Sequence, residues 1–220
     1  IGTLYDGGGD CTGTLIGPRH VLTAAHCIYS RSSHTYSSFN FKPGRNGEGS
    51  APYGASNSAI DIWVPSEYKF EPSNVNQWDI ALIILEDPVG NGWMGYAAQP
   101  GSFLDDQSIY MRGYPRCGTT GSPVGCEPKT LWGDTKRCEV GTFFSMDPDG
   151  WNREIKTNCD GSKGQSGSSF YYYNSDANPV SVGVFSHHYC LAGCPNSVHD
   201  EWPNVFTRIT PEYLAMINLY

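Results

Sequence analysis

The sequence has little positive charge and no long apolar run. Lys and Arg number 14 against 22 Asp and Glu, so the formal net charge is −8. Phosphate binding needs a basic surface, and this composition therefore argues against nucleic acid as a partner. The longest apolar run, IALIIL at 80–85, has the length of a strand and not the ~20 residues of a membrane helix. We therefore expect no membrane partner either.

The eight cysteines lack the C-x-x-C spacing that is typical of structural zinc sites. A structural zinc site is therefore not predicted. We also expect no other metal and no cofactor. An even set of cysteines without metal spacing indicates disulfides, and disulfides indicate an oxidising, extracellular compartment. Spacing alone leaves on the order of 100 pairings open. Because no charged-then-apolar leader precedes Ile1, we expect a secreted, mature form from which a signal and a propeptide have been removed.

Short apolar segments of strand length recur along the chain, separated by stretches rich in Gly and Pro. They lie at 12–17, 20–25, 59–64, 80–85, 108–114, 139–144, 168–173, 180–186 and 204–210. This pattern is typical of an all-β sandwich or barrel. The one predicted helix is C-terminal, because Thr210 can cap it and Pro211 fits its first turn. A polar stretch at 97–106 predicts a division into 1–100 and 101–220.

The segment GQSGSS at 164–169 places Ser166 between two glycines. A hydroxyl becomes a useful nucleophile when an imidazole accepts its proton and a buried carboxylate orients that imidazole. Small neighbours let the backbone turn tightly, so that the N–H groups of Gly164 and Ser166 can aim at one point. An oxyanion site needs such a pair of donors. By itself the motif also fits an ordinary turn.

Two segments of the first half supply an imidazole and a carboxylate. His26 ends the apolar run LTAAHC and directly precedes Cys27. Asp79 directly precedes IALIIL, so its carboxylate is expected to be shielded and to need a partner. Asp61 in AIDIWV is the rival carboxylate, but it alternates with apolar residues and is expected to face solvent. Taken singly, His26 is equally well explained as an ordinary histidine beside a disulfide, and Asp79 as an aspartate that caps a turn.

Together, three segments in the order His, Asp, Ser resemble the chymotrypsin-like serine proteases: CTGTLIGPRHVLTAAHC (11–27), WDIALI (78–83) and GQSGSS (164–169). The resemblance implies two six-stranded antiparallel β-barrels, followed by a short C-terminal helix. It implies that the catalytic His26 and Asp79 come from the first barrel and Ser166 from the second. It also implies a serine endopeptidase that works through an acyl-enzyme. We expect a monomer that cleaves polypeptide substrates and can be controlled by protein inhibitors.

The resemblance is closer to the bacterial glutamyl endopeptidases than to digestive trypsins, as WVPSEY (63–68) and RGYP (112–115) indicate. Trypsin-like enzymes have an aspartate before the nucleophile, and on activation it pairs with the new N-terminal ammonium. Here that residue is Gln165, which cannot form the ion pair. Ile1 resembles the activation terminus of a zymogen, but it lies only 25 residues before His26. The usual insertion mechanism is therefore not expected.

The resemblance leaves two specificities open. In trypsin-like enzymes the residue six before the nucleophile lies at the base of the pocket, and here it is Asp160. A desolvated carboxylate there favours cleavage after Arg or Lys, which is the first expectation. Glutamyl endopeptidases carry Thr after this Asp and a histidine on a later strand, whereas this chain has Gly161 and Phe185. Cleavage after Glu or Asp is the alternative.

Three residues after Phe185 belong to the predicted substrate site. Ser186 is expected near the His26–Asp79 pair, and the backbone of 186–188 is expected to pair with an extended substrate. His187 and His188 could receive an acidic side chain, or they could be histidines of the rim. A catalytically inactive binding protein of the same fold is the rival function, although all three triad residues are present.

The resemblance also implies a disulfide between Cys11 and Cys27 that fixes the histidine loop. Two further pairs are close in sequence and are predicted to close local loops: Cys117–Cys126 and Cys190–Cys194. By elimination, Cys138 pairs with Cys159 and braces the segment that leads to the pocket.

Overall fold

A computed structural model describes residues 1–5, 10–73, 75–105, 107–118, 122–133, 137–146, 151–188 and 204–220, with the backbone alone for Tyr5 and 141–146. Its strands are β1 Gly2–Tyr5, β2 Asp10–Leu15, β3 His20–Thr23, β4 Tyr29–Ser30, β5 Thr35–Tyr36, β6 Asn40–Pro43, β7 Ala59–Trp63, β8 Ala81–Leu85, β9 Gly95–Tyr96, β10 Tyr110–Gly113, β11 Trp132–Gly133, β12 Val140–Met146, β13 Asn152–Thr157, β14 Ser169–Tyr173, β15 Pro179–His188 and β16 Asn204–Arg208.

Most of these strands belong to two large sheets. The first has the order β6-β1-β2-β3-β8-β7 and is antiparallel throughout. The second has the order β11-β10-β14-β15-β16-β13-β12, and β9 pairs with β15 in parallel. Within the described residues the second sheet thus has eight strands and not six, because the two-residue strands β9 and β11 extend it. The division at residue 100 stays a prediction, although β9 joins the second sheet before that point.

Strand β8 lies between two of the three clusters of buried apolar residues. All five of its residues are buried. Ala81, Ile83 and Leu85 face a core cluster inside the first sheet, whereas Leu82 and Ile84 face a second cluster. That second cluster also contains Val184 of β15 and residues of the C-terminal helix. A strand covered on both faces reads as a continuous apolar run, which is why IALIIL does not alternate. A third cluster fills the second sheet.

Three short helices complete the described elements: α1 Ser66–Phe70, α2 Gly101–Asp105 and α3 Pro211–Ile217. Helix α3 was predicted, and the Thr210 hydroxyl caps it by accepting from the Tyr213 N–H at 3.4 Å. Helices α1 and α2 were not predicted, because five residues are too few to show a 3.6-residue period. Among the described residues, no helix has the length and apolarity that crossing a membrane requires.

Disulfides join three pairs of cysteines: Cys11–Cys27, Cys117–Cys126 and Cys138–Cys159. These pairs coincide with three of the four pairings expected above. The fourth, Cys190–Cys194, lies outside the described residues.

Candidate active site

His26 lies on one short 3₁₀ turn, and Asp79 directly follows another. His26 is the middle residue of the turn Ala25–Cys27, and Asp79 follows the turn Val75–Trp78 at the entrance to β8. His26 Nδ1 lies 2.7 Å from Asp79 Oδ2, and the His26 backbone N–H donates to Asp79 Oδ1 at 2.9 Å. Because the carboxylate accepts from Nδ1–H, the ring nitrogen left with a free lone pair is Nε2.

The two partners differ in exposure. The Asp79 side chain is 4% exposed and the His26 side chain 37%. Burial lowers the pKa of His26, but the charge and hydrogen bond of Asp79 outweigh it, so the pKa lies above the ordinary value. Burial raises the pKa of Asp79, but the charge of His26 and the hydrogen bonds from His26 and Ser186 outweigh it and lower that pKa.

Ser186 provides the third hydrogen bond to the carboxylate. Its hydroxyl, 4% exposed on β15, donates to Asp79 Oδ2 at 2.5 Å. The carboxylate therefore accepts one bond from the second sheet and two from His26. This contact links the His26–Asp79 pair to β15 of the second sheet. The Phe185 carbonyl of the same strand accepts from the N–H of Gly167, the residue after Ser166.

The turn that carries Ser166 packs on the segment that leads to His26. Gly167 has φ +81°, and a Cβ there would overlap Thr23 Oγ1 and lie 3.0 Å from the backbone nitrogen of Ala24. The backbone N–H of Thr12 donates to the Ser166 carbonyl at 2.8 Å. Ser166 itself is partly exposed. Only glycine lets the turn approach this closely, because any side chain at 167 would push it away from the histidine segment.

The backbone around Ser166 leaves two amide hydrogens available. Among the described residues, the N–H groups of Gly164 and Ser166 donate to no protein acceptor, whereas Gln165 N–H donates to Ser162 O at 3.1 Å. The carbonyl of Lys163 accepts from Arg116 N–H at 2.6 Å. Because a peptide is planar and trans, this bond fixes the opposite direction for the Gly164 N–H. Two donors in one turn that bond to no described acceptor are candidates for binding an oxyanion, which needs such a pair.

Gln165 has an internal role in this turn. It is 3% exposed, and its Oε1 accepts from both the backbone N–H and the hydroxyl of Ser162, each at 2.9 Å. The side chain that cannot form the ion pair of trypsin-like enzymes thus holds the segment before Ser166 by neutral hydrogen bonds.

The two departures from the glutamyl endopeptidase pattern occupy one space. Phe185 is 2% exposed, and its Cζ lies 2.7 Å from where a Cβ on Gly161 would be. Asn204 Oδ1 lies 3.0 Å from the same point. A threonine at 161 would collide with both side chains, so Gly161 and Phe185 are a matched pair. Asn204 also donates to the Cys159 carbonyl, a contact without any signal in the sequence.

The surroundings of Asp160 bear on the specificity, which stays a prediction. The preference for Arg or Lys assumed a desolvated carboxylate, but Asp160 is exposed. An exposed charge is screened by water and selects a partner weakly. The segment 189–203, which follows the other wall, lies outside the described residues.

The two histidines after Ser186 lie in different surroundings. His187 Nδ1 is 3.0 Å from Ser186 Oγ, and His187 Nε2 is 3.9 Å from Glu154 Oε1. His188 is exposed, and its ring packs edge-on against Phe185 with centroids 5.3 Å apart. Burial lowers the pKa of both histidines, and for His187 the charge of Asp79 opposes this shift.

Two mainly antiparallel sheets that meet at a histidine–aspartate pair and at a glycine-flanked serine turn define the chymotrypsin-like fold class. The profile of the family described as Trypsin matches residues 1–217, and the chain belongs to the trypsin family. This confirms the predicted family and its mainly β architecture with a short terminal helix.

Two curated relatives are similar in sequence. A glutamyl endopeptidase of Bacillus licheniformis is 38% identical over 117 residues, which are 52% of this chain and 35% of that protein. An extracellular metalloprotease of Bacillus subtilis is 30% identical over 176 residues, which are 79% of this chain and 50% of that protein. The chain thus spans half or less of the length of these relatives.

Solved structures are similar over nearly the whole chain. A Glu endopeptidase in complex with MPD has a TM-score of 0.72 at 25% identity and covers 99% of this chain and 88% of that chain. The protease Anisep from Arthrobacter nicotinovorans has a TM-score of 0.69 at 21% identity, with 99% and 93% covered, and shows the fold alone. The likenesses favour the glutamyl endopeptidase branch, as the motifs predicted.

Proposed function

We propose that this protein is a serine endopeptidase in which Ser166 is the nucleophile, His26 the general base and Asp79 its orienting carboxylate. The observation that carries the proposal is the His26–Asp79 pair at 2.7 Å, with Nε2 left free on a partly exposed ring. The Ser166 turn is held against the same segment through Gly167 and Thr12. Membership of the trypsin family supports this assignment of roles.

The reaction follows from these positions. Ser166 Oγ attacks the peptide carbonyl carbon while its proton passes to His26 Nε2, and the N–H groups of Gly164 and Ser166 stabilise the oxyanion. The imidazolium then gives the proton to the leaving nitrogen, and the C–N bond breaks. Water attacks the acyl-enzyme with His26 again as base, which restores Ser166. Asp79 stays ionised and stabilises the imidazolium at each step.

A pair of serine variants in the same turn tests the nucleophile. Ser166→Ala should lower kcat by roughly 10⁶-fold, and labelling by an organophosphonate should disappear. Ser168→Ala is the matched control, because the Ser168 hydroxyl is buried without a hydrogen-bond partner among the described residues. Ser168→Ala should keep both activity and labelling. Near-normal turnover in Ser166→Ala, or a label on another residue, would contradict the proposal.

For specificity we propose cleavage after Glu, which the likeness to the B. licheniformis relative supports at 38% identity. The exposure of Asp160 weakens the case for Arg or Lys. His188, whose ring packs edge-on against Phe185, is the imidazole that we assign to the substrate carboxylate.

Digestion of a denatured protein and sequencing of the new C-termini distinguish the two specificities. New ends should be mainly Glu, and His188→Gln should lower kcat/KM for Glu substrates. Asp160→Asn should leave the pattern unchanged. A majority of Arg and Lys ends that is lost in Asp160→Asn would show that Asp160 selects the substrate.

The name of the B. subtilis relative suggests metal-dependent hydrolysis, but the donor set found among the described residues does not favour it. The ligand atoms of Cys11, His26 and Cys27 lie within 4.8 Å of one another. Both sulfurs, however, form the Cys11–Cys27 disulfide, and a metal needs thiolates. Inhibition by a chelator that adding zinc reverses would support the metal reading, whereas stoichiometric phosphonate labelling would support ours.

We further propose that the protein works outside the cytosol. Three disulfides within the described residues fit an oxidising compartment, and one relative is named extracellular. Cell fractionation with thiol alkylation would test this. Recovery in the cytosol with reduced cysteines would contradict it.

A further inference from the structure

Thr12, the residue after Cys11 on β2, has no exposed surface and connects four backbone and side-chain groups. Its N–H donates to Ser166 O at 2.8 Å, and its carbonyl accepts from Thr23 Oγ1 at 2.9 Å. Its hydroxyl donates to Gly164 O at 3.2 Å and accepts from the Tyr114 N–H at 2.9 Å. The motif at 11–27 by itself predicts no role for this side chain.

The hydroxyl joins the two segments that orient the proposed oxyanion donors. The Gly164 carbonyl that it holds is on the same residue as one of the two donor N–H groups. Tyr114, which it also holds, lies two residues before Arg116, whose N–H fixes the Lys163 carbonyl at 2.6 Å. The peptide planes before and after Gly164 are therefore both held, the first by Arg116 and the second by Thr12, and the Thr12 hydroxyl connects the two supports.

The same residue is connected to the histidine. Its carbonyl is bonded to Thr23, three residues before His26, and its neighbour Cys11 forms the disulfide with Cys27 directly after His26. Any shift of Thr12 would therefore change the distance between the donors around Ser166 and the base.

We propose that Thr12 is a positioning residue whose hydroxyl sets the oxyanion donors of Gly164 and Ser166 relative to His26. The inference rests on the proposed function. Its physical ground is that donors act on an oxyanion only when they are held within a few tenths of an ångström, and a misplacement of 1 Å can cost about 10²-fold in rate.

Thr12→Val is the decisive variant, because it keeps the branched shape and the backbone N–H and removes only the hydroxyl. We expect kcat to fall by about 10- to 100-fold with little change in KM. The affinity for a peptide boronate, which places an oxygen among the oxyanion donors, should fall in parallel. The affinity for a product-like peptide should not change. Thr12→Ser restores the hydroxyl and should recover most of kcat.

Thr14→Val is the matched control. Thr14 is two residues further along β2 and equally buried, but its hydroxyl has no partner among the described residues. It should keep wild-type kcat and boronate affinity. If Thr12→Val does not fold, Thr12→Ala carries the same comparison, because it also keeps the N–H and loses the hydroxyl.

The possible outcomes separate this inference from the proposed function. Wild-type kcat in a folded Thr12→Val, or an equal loss of boronate and product affinity, would overturn the positioning role while Ser166 remained the nucleophile. An unlabelled wild-type protein, or an active Ser166→Ala variant, would instead remove the proposed function itself.

Discussion

The two sides of the proposed active site are held by different kinds of contact. On the base side, His26 is fixed by a charged partner, Asp79, and by the adjoining Cys11–Cys27 disulfide. On the nucleophile side, Ser166 is fixed by neutral backbone hydrogen bonds and by the close approach of Gly167. The base side therefore responds to pH and to the loss of charge. The nucleophile side responds to added volume and to the loss of hydrogen-bonding groups.

The largest effect that separates the two sides is expected from Asp79→Asn. The amide no longer holds His26 in the Nδ1–H tautomer, so kcat should fall about 10⁴-fold. Asp61→Asn changes the exposed rival carboxylate on β7 and should leave kcat unchanged. Steady-state kinetics on one peptide substrate measures both. Comparable losses in the two variants would mean that the shielded pair is not the catalytic one.

A smaller effect, on the nucleophile side, is expected from Gly167→Ala. The new methyl group must displace the turn from Thr23, and φ +81° adds backbone strain of order 1–3 kcal/mol. We expect kcat to fall by about 10²-fold. Gly49→Ala has a similar φ of +73° but nothing within 4 Å of the new Cβ. It should lose some stability and keep kcat, and an equal loss of kcat in both would contradict the steric explanation.

The disulfide on the base side should matter for stability. Replacing Cys11 and Cys27 by Ala opens a loop of sequence separation 16 and should lower the free energy of unfolding by ~2–4 kcal/mol. The pair Cys117 and Cys126, with separation 9, should cost about 0.5 kcal/mol less because the closed loop is shorter. Urea unfolding of both double variants measures this. A larger loss of stability in the Cys117 and Cys126 double variant would show that strain or packing, and not chain entropy, determines how much each disulfide stabilises the protein.

The smallest effect is a shift in the pH profile. Because the pKa of His26 is raised, the acid limb of kcat/KM should lie above the ordinary imidazole value of about 6.5. In Asp79→Asn only burial remains, and the limb should move below that value. Gly167→Ala should lower the rate without moving the limb. A limb that moves in Gly167→Ala would show that the two sides are not independent.

The same shifts have opposite consequences for stability. Because folding raises the pKa of His26, its protonation stabilises the fold. This contribution is complete below the pKa of the unfolded state and is lost as the pH rises through the pKa of the folded state. Because folding lowers the pKa of Asp79, its ionisation stabilises the fold. This contribution is present above the pKa of the unfolded state and is lost as the pH falls through the pKa of the folded state. The base side should therefore be tightest between the two ordinary pKa values, from about pH 4 to 6.5.

Prediction from sequence succeeded where the local pattern carried the information. The run 80–85 contains a buried strand, and its continuous apolar sequence predicts this because both faces of the strand are covered. It failed for β13 Asn152–Thr157, in which buried residues that include the charged Arg153 alternate with half-buried polar ones, and for β6 Asn40–Pro43 beside a turn-rich stretch. In both cases the neighbouring strands stabilise the extended conformation, and the local composition does not predict those neighbours.

By itself the sequence determined the trypsin-family motifs, their order and the residues proposed for catalysis, because short spacings and residue chemistry are local properties. Only the tertiary structure decided that Asp160 is exposed, that Gly161 and Phe185 share one space, and that Thr12 connects the two sides. The Thr12–Gly164 bond spans 152 residues of sequence and the Ser186–Asp79 bond spans 107. Contacts at such separations depend on how two sheets pack, and that packing is a property of the whole folded chain.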